Sequence, residues 1–250
     1  MSDQPVIQLE NFRKAYDLEI AVNDLSFSVS SGQIVGLIGP NGSGKTTTLK
    51  TIASIIPSSG GSVCVDGQEV HKHQLAVKRK TAYVPDDPQL FNDLSVEQHF
   101  AFVASVYEVD NWQERMMELL TRFELDHKLQ SPASDLSRGM RQKLAIGCAY
   151  LYRPKALLLD EPMTGLDPTG IRVLKDTITE HAAQGNVVLI SSHLLAMVED
   201  ICSDVLILAK GKKKYFGGLR DLQNAFAAEG NTQTLEEMFF QTIIADTPAS

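Results

Sequence analysis

The chain has 250 residues, 43% of them apolar, enough for a sizeable core in one domain or one domain with a subdomain. Its formal charge of −8 and pI of about 5.2 exclude a nucleic-acid surface built on net positive charge. No stretch approaches the ~18 uninterrupted apolar residues of a membrane span, and Met1 to Pro5 shows no basic-then-apolar start. A chain soluble on its own and without a signal peptide is expected, and Cys64, Cys148 and Cys202, far apart and without metal spacing, suit a reducing compartment.

Val6 to Tyr16 alternates loosely and reads as a strand, and Ile20 to Val29 as a second. Tyr16 at the strand end is either a half-buried structural tyrosine or a flat platform for a base. Ile34 to Ile38 is a short apolar run, the mark of a buried strand. It leads into Gly39-Pro40-Asn41-Gly42-Ser43-Gly44-Lys45-Thr46-Thr47, which fits the phosphate-loop pattern G-x-x-x-x-G-K-[ST]. Thr46 to Ile56 then reads as a helix. At such a strand-to-helix turn, glycines let successive N–H groups point inward, and the helix N-terminus adds positive potential. Lys45 is placed to reach β- and γ-phosphates and the Thr46 hydroxyl to bind Mg²⁺.

Gly60 to Gly67 reads as a strand and turn, His71 to His73 as a solvated helix start, and Thr81 to Val84 as a further strand. Pro85-Asp86-Asp87-Pro88 must be a loop. Ser95 to Glu108 and Asn111 to Leu125 are helical by pattern, with Ser95 and Gln98 forming a capping box. Trp112, Met116, Leu119, Leu120 and Phe123 share one face of the second helix, a core stripe. Pro132 to Asp135 is a linker, and Leu136 to Met140 opens a helix running to about Tyr152.

Ala156 to Leu159 is a continuous apolar run ending in Asp160-Glu161-Pro162, a buried parallel strand with two carboxylates at its C-terminal end. A helix over Pro168 to Ala183, with Gly185 closing it, precedes a second such strand, Val187 to Ile190, which ends in Ser191-Ser192-His193. Helix Leu194 to Cys202 and strand Val205 to Ala209 follow. Gly211 to Lys214 reads as a solvated hairpin tip, and Thr234 to Ile244 as a short amphipathic helix before a disordered end.

In open α/β sheets ligands bind at the C-terminal ends of the strands, so the phosphate loop, Asp160, Glu161 and His193 describe one crevice. Asp160 after four apolar residues would hold Mg²⁺ through water. Glu161 is suited to polarise an attacking water, and His193 to donate to a γ-phosphate.

With these motifs in hand, the whole chain resembles an ATP-binding subunit of the ABC transporter family. The matches fall in the family's order: Tyr16 like the adenine-stacking aromatic, the phosphate loop, the loop after Tyr83-Val84-Pro85, Leu136-Ser137-Arg138-Gly139-Met140 like the signature, Asp160-Glu161-Pro162, Gly165-Leu166-Asp167 like the D-loop, and His193 like the switch histidine. The resemblance implies an α/β P-loop NTPase of the ABC ATPase type, with a mainly parallel core sheet, an N-terminal antiparallel β subdomain and an inserted helical subdomain. Its implied division is residues 1–88 and 154–218 for the nucleotide-binding core, 89–153 for the helical signature subdomain and 219–250 for a helical tail. ATP and Mg²⁺ are the implied ligands. Gly39, Asn41, Gly42, Ser43, Gly44, Lys45, Thr46 and Thr47 would cradle phosphates, and Thr46, Asp86 and Asp160 would serve the metal. Ser137, Gly139 and Asp167 would meet nucleotide across a head-to-tail dimer with a second ATP-binding subunit, identical or homologous. The other implied partner is a separate integral membrane permease, which would hold the chain on the cytoplasmic face of the membrane; no nucleic acid is expected.

Two residues depart from the family's pattern. The usual signature is Leu-Ser-Gly-Gly-Gln, where this chain has Arg138 and Met140, keeping Ser137 and Gly139. Most members carry Gln where this chain has Asp86. The acidic replacement with a Gly-Met pair resembles bacterial exporter subunits of the Ecs and related type 2 groups. A soluble member of the family in translation or DNA repair, or a weakly hydrolysing ATP-binding regulatory subunit, are the alternatives at this point.

Overall fold

A computed structural model describes residues 4–227 and 234–244. The first structured layer is an antiparallel sheet in the order β2-β1-β4-β5, made of β1 (Ile7–Tyr16), β2 (Glu19–Val29), β4 (Gly60–Val65) and β5 (Gln68–Glu69). The second sheet has the order β10-β9-β3-β8-β7-β6, from β3 (Ile34–Ile38), β6 (Thr81–Val84), β7 (Ala156–Asp160), β8 (Val187–Ser191), β9 (Asp204–Ala209) and β10 (Lys212–Gly218). Its strands β9, β3, β8, β7 and β6 run parallel; β10 is an antiparallel edge.

The continuous apolar runs follow from burial on both faces of this sheet. Val35 and Leu37 of β3, Leu158 of β7 and Leu189 of β8 face a core shared with the antiparallel sheet and α1 (Lys45–Ile52). Their neighbours Ile34, Ile38, Leu157, Leu159, Val188 and Ile190 face the opposite core. That second core is built by helices α3 (Val96–Tyr107), α4 (Trp112–Arg122), α5 (Arg138–Leu151), α6 (Pro168–Ala183), α7 (Leu195–Ile201), α8 (Leu219–Ala227) and α9 (Leu235–Ile244). A short helix, α2 (Gln74–Lys80), precedes β6.

The expected elements are present with three differences. The helix after the phosphate loop stops at Ile52 rather than Ile56, because Ser54 takes a left-handed φ of +58° and leaves Ile55 at the surface. The lysines at 212 to 214 are not a hairpin tip but the start of β10. The turn is Lys210-Gly211, both at positive φ, and Lys213 donates its Nζ proton to the Ser26 carbonyl across the sheets. Ala133–Asp135 is a 3₁₀ turn within the expected linker. The chain end expected to be disordered lies outside the described residues.

Candidate nucleotide site

β3, β8 and β7 are neighbours in the sheet, so their C-terminal ends bring the phosphate loop, Ser191 and Asp160 together. A cleft of about 330 Å³ opens there, lined by Tyr16, residues 41–47, Asp160 and Glu161, with Glu19 and Ala21 at its edge. The loop can take its tight curl because Gly44 adopts φ +104°, and a Cβ there would lie 2.8 Å from the Ala21 carbonyl oxygen. Gly44 is also the N-cap of α1, so the first free N–H groups of the helix open toward the cleft. The buried Ser43 hydroxyl has no hydrogen-bond partner among the described residues, an unsatisfied polar group within the phosphate loop.

Lys45 folds back on its own loop, donating to the carbonyls of Gly39 at 2.7 Å and Pro40 at 3.3 Å. Burial lowers its pKa, while Glu161 and Asp160 pull it back up. A cation held against carbonyls, with two carboxylates opposite, is poised to exchange those weak acceptors for a phosphate. Thr46 and Asn41 are exposed at the mouth. Tyr16 stands 46% exposed at the cleft wall, with the Lys14 ammonium 4.8 Å from its ring centroid.

Asp160 is only 5% exposed, and both its oxygens are engaged. The Ser191 hydroxyl donates to Oδ1 at 2.6 Å and the Tyr83 hydroxyl to Oδ2 at 3.1 Å. Burial, then the charge of Asp160, drives the Tyr83 phenol far above its usual pKa, which keeps it a donor. Neither Tyr83 nor Ser191 was singled out as a site residue from sequence. The signal for Ser191 is its cross-strand pairing with Asp160, which appears only once β7 and β8 are aligned.

Glu161 follows in a left-handed backbone conformation, φ +50°, sparsely populated for such a residue. Its N–H donates to the Ser191 carbonyl and hydroxyl, and its Oε2 lies 2.7 Å from His193 Nδ1 and accepts the His193 N–H at 3.2 Å. The carboxylate accepts, so Nδ1 carries the proton and Nε2 is left to face outward.

The remaining predicted residues sit apart from the cleft lining. Ser137 is exposed and caps α5, accepting the Met140 N–H at 3.3 Å. Gly139 is pressed against Gly165, where a Cβ would come 2.4 Å from the carbonyl oxygen, so only glycine fits. Asp167 caps α6 through the Gly170 N–H and pairs with Lys143 Nζ at 3.3 Å, which holds its carboxyl below the usual range. Asp86 accepts from Arg138 Nη2 at 3.3 Å.

The family model described as ABC transporter matches residues 22–164. EcsA of Bacillus subtilis, an ABC-type transporter ATP-binding protein, is 31% identical over 223 residues, covering 88% of this chain and 90% of that protein. SrtF of Streptococcus pyogenes, a lantibiotic transport ATP-binding protein, is 30% identical over 235 residues, covering 93% and 99%. A solved ATP-binding subunit of an ABC transporter superposes with a TM-score of 0.90 at 32% identity, over 95% of this chain and 99% of that one. With a nucleotide cleft of this build and relatives of this coverage, the chain belongs to the ABC transporter family as an ATP-binding, ATP-hydrolysing subunit that powers a membrane transporter.

Proposed function

We propose that this subunit hydrolyses ATP in a head-to-tail pair, each copy's phosphate loop facing the other subunit's Ser137 and Gly139. The observation that carries this is their separation: the cleft is lined by residues 41–47, Asp160 and Glu161, while Ser137 opens an exposed helix N-terminus elsewhere. A hydroxyl and free N–H groups at a helix start attract an anion. With its own cleft lined by other residues, the anion it serves comes from a second subunit, identical or homologous.

Within one cleft, Tyr16 stacks on the base, and the loop from Gly39 to Thr47 wraps the phosphates. Lys45 leaves the Gly39 and Pro40 carbonyls for the β- and γ-phosphates. Glu161 takes a proton from the attacking water as the water oxygen bonds to the γ-phosphorus and the bond to the β-phosphate oxygen breaks. His193, aimed through Nδ1 by Glu161, donates from Nε2 to the γ-phosphate as the imidazolium, the form in which both ring nitrogens carry protons.

Mg²⁺ fits this residue set. Among the described residues no three His, Cys, Asp or Glu cluster to bind a metal by themselves. Mg²⁺ is usually held by one or two carboxylates with substrate phosphates and water, which Asp160, Asp86 and the Thr46 hydroxyl would complete. When bound, the ion neutralises charge developing on the phosphate oxygens.

Residues 89–153 act as the helical signature subdomain between core segments 1–88 and 154–218, with 219–250 as the tail. The partner is an integral membrane permease on a separate chain, as the lantibiotic transport ATP-binding relative suggests; no helix among the described residues is long and apolar enough to cross a membrane. Its docking surface includes Phe91, 54% exposed, and Phe102, 47% exposed, whose rings meet edge-on at 5.3 Å. An exposed aromatic pair beside the loop that carries Asp86 suits a short apolar helix. This arrangement places the subunit on the cytoplasmic face of the membrane.

The test uses Glu161→Gln alone and with Ser137→Arg. Glu161→Gln should bind ATP yet lose hydrolysis by roughly 10²-fold or more, the scale of a general base. With ATP and Mg²⁺ that variant should pair in light scattering, and adding Ser137→Arg should leave nucleotide affinity largely intact while abolishing pairing. Near-normal turnover of Glu161→Gln would reject the role of Glu161; pairs that persist with Ser137→Arg would reject the trans arrangement.

A further inference from the structure

The first two turns of α5 hold the loop after β6 from several points. Gln142, 1% exposed, donates Nε2 to the Pro85 carbonyl at 3.5 Å, and Arg141 reaches the Pro88 carbonyl at 3.5 Å and Asn92 at 3.3 Å. Arg138 reaches the one charged side chain between those anchors that it contacts, donating from Nη2 to Asp86 Oδ1 at 3.3 Å. Its aliphatic stem runs along Gly165: a Cβ placed on that glycine would stand 3.2 Å from Arg138 Cγ and 3.3 Å from Cδ. Gly165 belongs to the loop that begins at Glu161 and ends at Asp167. One side chain thus spans the loop bearing Asp86 and the loop bearing Glu161.

The pair is solvent-exposed, 57% for Arg138 and 49% for Asp86. Exposed ion pairs add little to folding stability, so its consequence lies in the site. Asp160 and Glu161 already bring two carboxylates to a cleft built for a polyanion. The charge of Asp86 extends to Tyr83, whose hydroxyl holds Asp160. A third unbalanced carboxylate would repel phosphates and leave its loop free to swing away. A guanidinium on Asp86 Oδ1 removes that charge excess, restrains the side chain and leaves Oδ2 outside the pair. The usual signature glycine at position 138 could make no such contact, and the usual glutamine at position 86 would not need it.

We propose that Arg138 is a positioning residue for ATP hydrolysis, acting in its own chain by neutralising and aiming Asp86, so that the two departures from the family's motifs work as one matched pair. This rests on the reading of Asp86 as part of the nucleotide site.

The experiment is a double-mutant cycle with Arg138→Gln, Asp86→Gln and both together, with Arg138→Lys as the conservative variant. Steady-state kcat and KM for ATP are measured across a Mg²⁺ series. Amide hydrogen exchange over residues 85–92 is measured without nucleotide. Arg138→Gln should lower kcat about tenfold with KM nearly unchanged, a coupling of ordinary size for contacting residues. In the Asp86→Gln background the same change should cost about twofold or less. Arg138→Lys should recover most of the loss, and exchange over 85–92 should rise severalfold in Arg138→Gln. Equal losses in both backgrounds would overturn the proposal, as would unchanged exchange. If the parent protein fails to hydrolyse ATP, or Glu161→Gln turns over normally, the site reading fails instead, and the exchange measurement still decides whether Arg138 holds the loop.

Discussion

Asp160 is almost wholly buried with each oxygen held by a separate hydroxyl, whereas Asp86 and Arg138 lie about half exposed and share a single contact. In the proposed reading both serve one site, yet they are fixed by different physics. At the phosphate-loop side, cross-strand register sets the geometry: Asp160 pairs with Ser191, and the Glu161 N–H locks onto the same residue. Polar groups satisfied in a low-dielectric setting are strongly oriented before any ligand arrives. At the signature side, a helix start and two loops set it, through exposed side chains screened by water. The difference teaches that one half is held by the chain's own buried network, while the other, in the proposed pairing, would be completed from a second subunit.

The largest expected effect tests the half held by that network. Lys45→Ala removes a partly buried cation facing Asp160 and Glu161. Each charge-assisted contact it makes to phosphate contributes about 1.5–3 kcal/mol, so losing two should weaken ATP binding by roughly 10²-fold or more. Fluorescent-nucleotide titration would measure this, and circular dichroism should show the fold intact. Unchanged affinity would dissolve the comparison, because the prebuilt half would then not be where phosphate sits.

Much of that half was legible in the sequence because its signals are local. The phosphate loop, the apolar run before Asp160 and the helix over Pro168–Ala183 are written in consecutive residues. Tyr83 and Ser191 escaped because their roles depend on β6, β7 and β8 lying side by side, which no local pattern states. The strand at Lys212–Gly218 was missed for the same reason: three lysines suggest a solvated tip, but pairing with β9 overrides propensity. Leu90, Phe91 and Leu94 are three apolar residues close together in the sequence, and their spacing does not state which of them is exposed. Leu90 and Leu94 are half-buried, and Phe91 alone stands out against Phe102. On the signature side, Ser137 and Gly139 could be read from the motif. The Arg138–Asp86 pair could not, since its partners are 52 residues apart.

A smaller effect probes the junction behind the site, where α5 meets α6. His181 is 5% exposed, and its ring packs edge-on against Tyr150 at 5.3 Å. Burial, helped by Arg115, lowers its pKa to about 4, against the hydrogen bond to the Pro154 backbone that raises it. The unfolded chain takes up this proton near pH 6.5, so the unfolded state binds more protons between the two values. The contribution is therefore full above about pH 6.5 and is lost as pH falls toward 4, reaching about 3 kcal/mol at most. Urea unfolding at pH 7.5, 5.5 and 4.5 should show His181→Leu with a shallower loss than the parent. Parallel slopes would mean His181 is not held neutral. If ATP affinity at pH 7.5 also changed in the variant, the phosphate-loop half would be less independent of this junction than its geometry indicates.

The smallest effect concerns α3, which carries Phe102 and is the part of the helical region farthest from the register-locked strands in its manner of support. Its start depends on a capping box: the Ser95 hydroxyl accepts the Gln98 N–H at 3.2 Å, and Gln98 Oε1 accepts the Ser95 N–H at 2.8 Å. The Ser95 carbonyl also accepts the His99 Nδ1 proton at 2.8 Å, which leaves His99 Nε2 to accept the Phe91 N–H at 3.1 Å. Ser95→Ala keeps the backbone carbonyl and the Gln98 acceptor but leaves the Gln98 N–H without its cap. Loss of such a cap costs about 1 kcal/mol, a fall in Tm of roughly 2–4 °C for a chain of this size. Hydrogen exchange should rise over the first turn of α3 and at Phe91, because the histidine that holds Phe91 is anchored on that turn. Exchange at Ser191 and ATP affinity should stay as in the parent, since nothing in the strand-end network touches Ser95. Should exchange at Ser191 rise together with that at Phe91, the two halves would be opening as one unit, and the contrast between a cleft held by its own buried network and the signature side would fail.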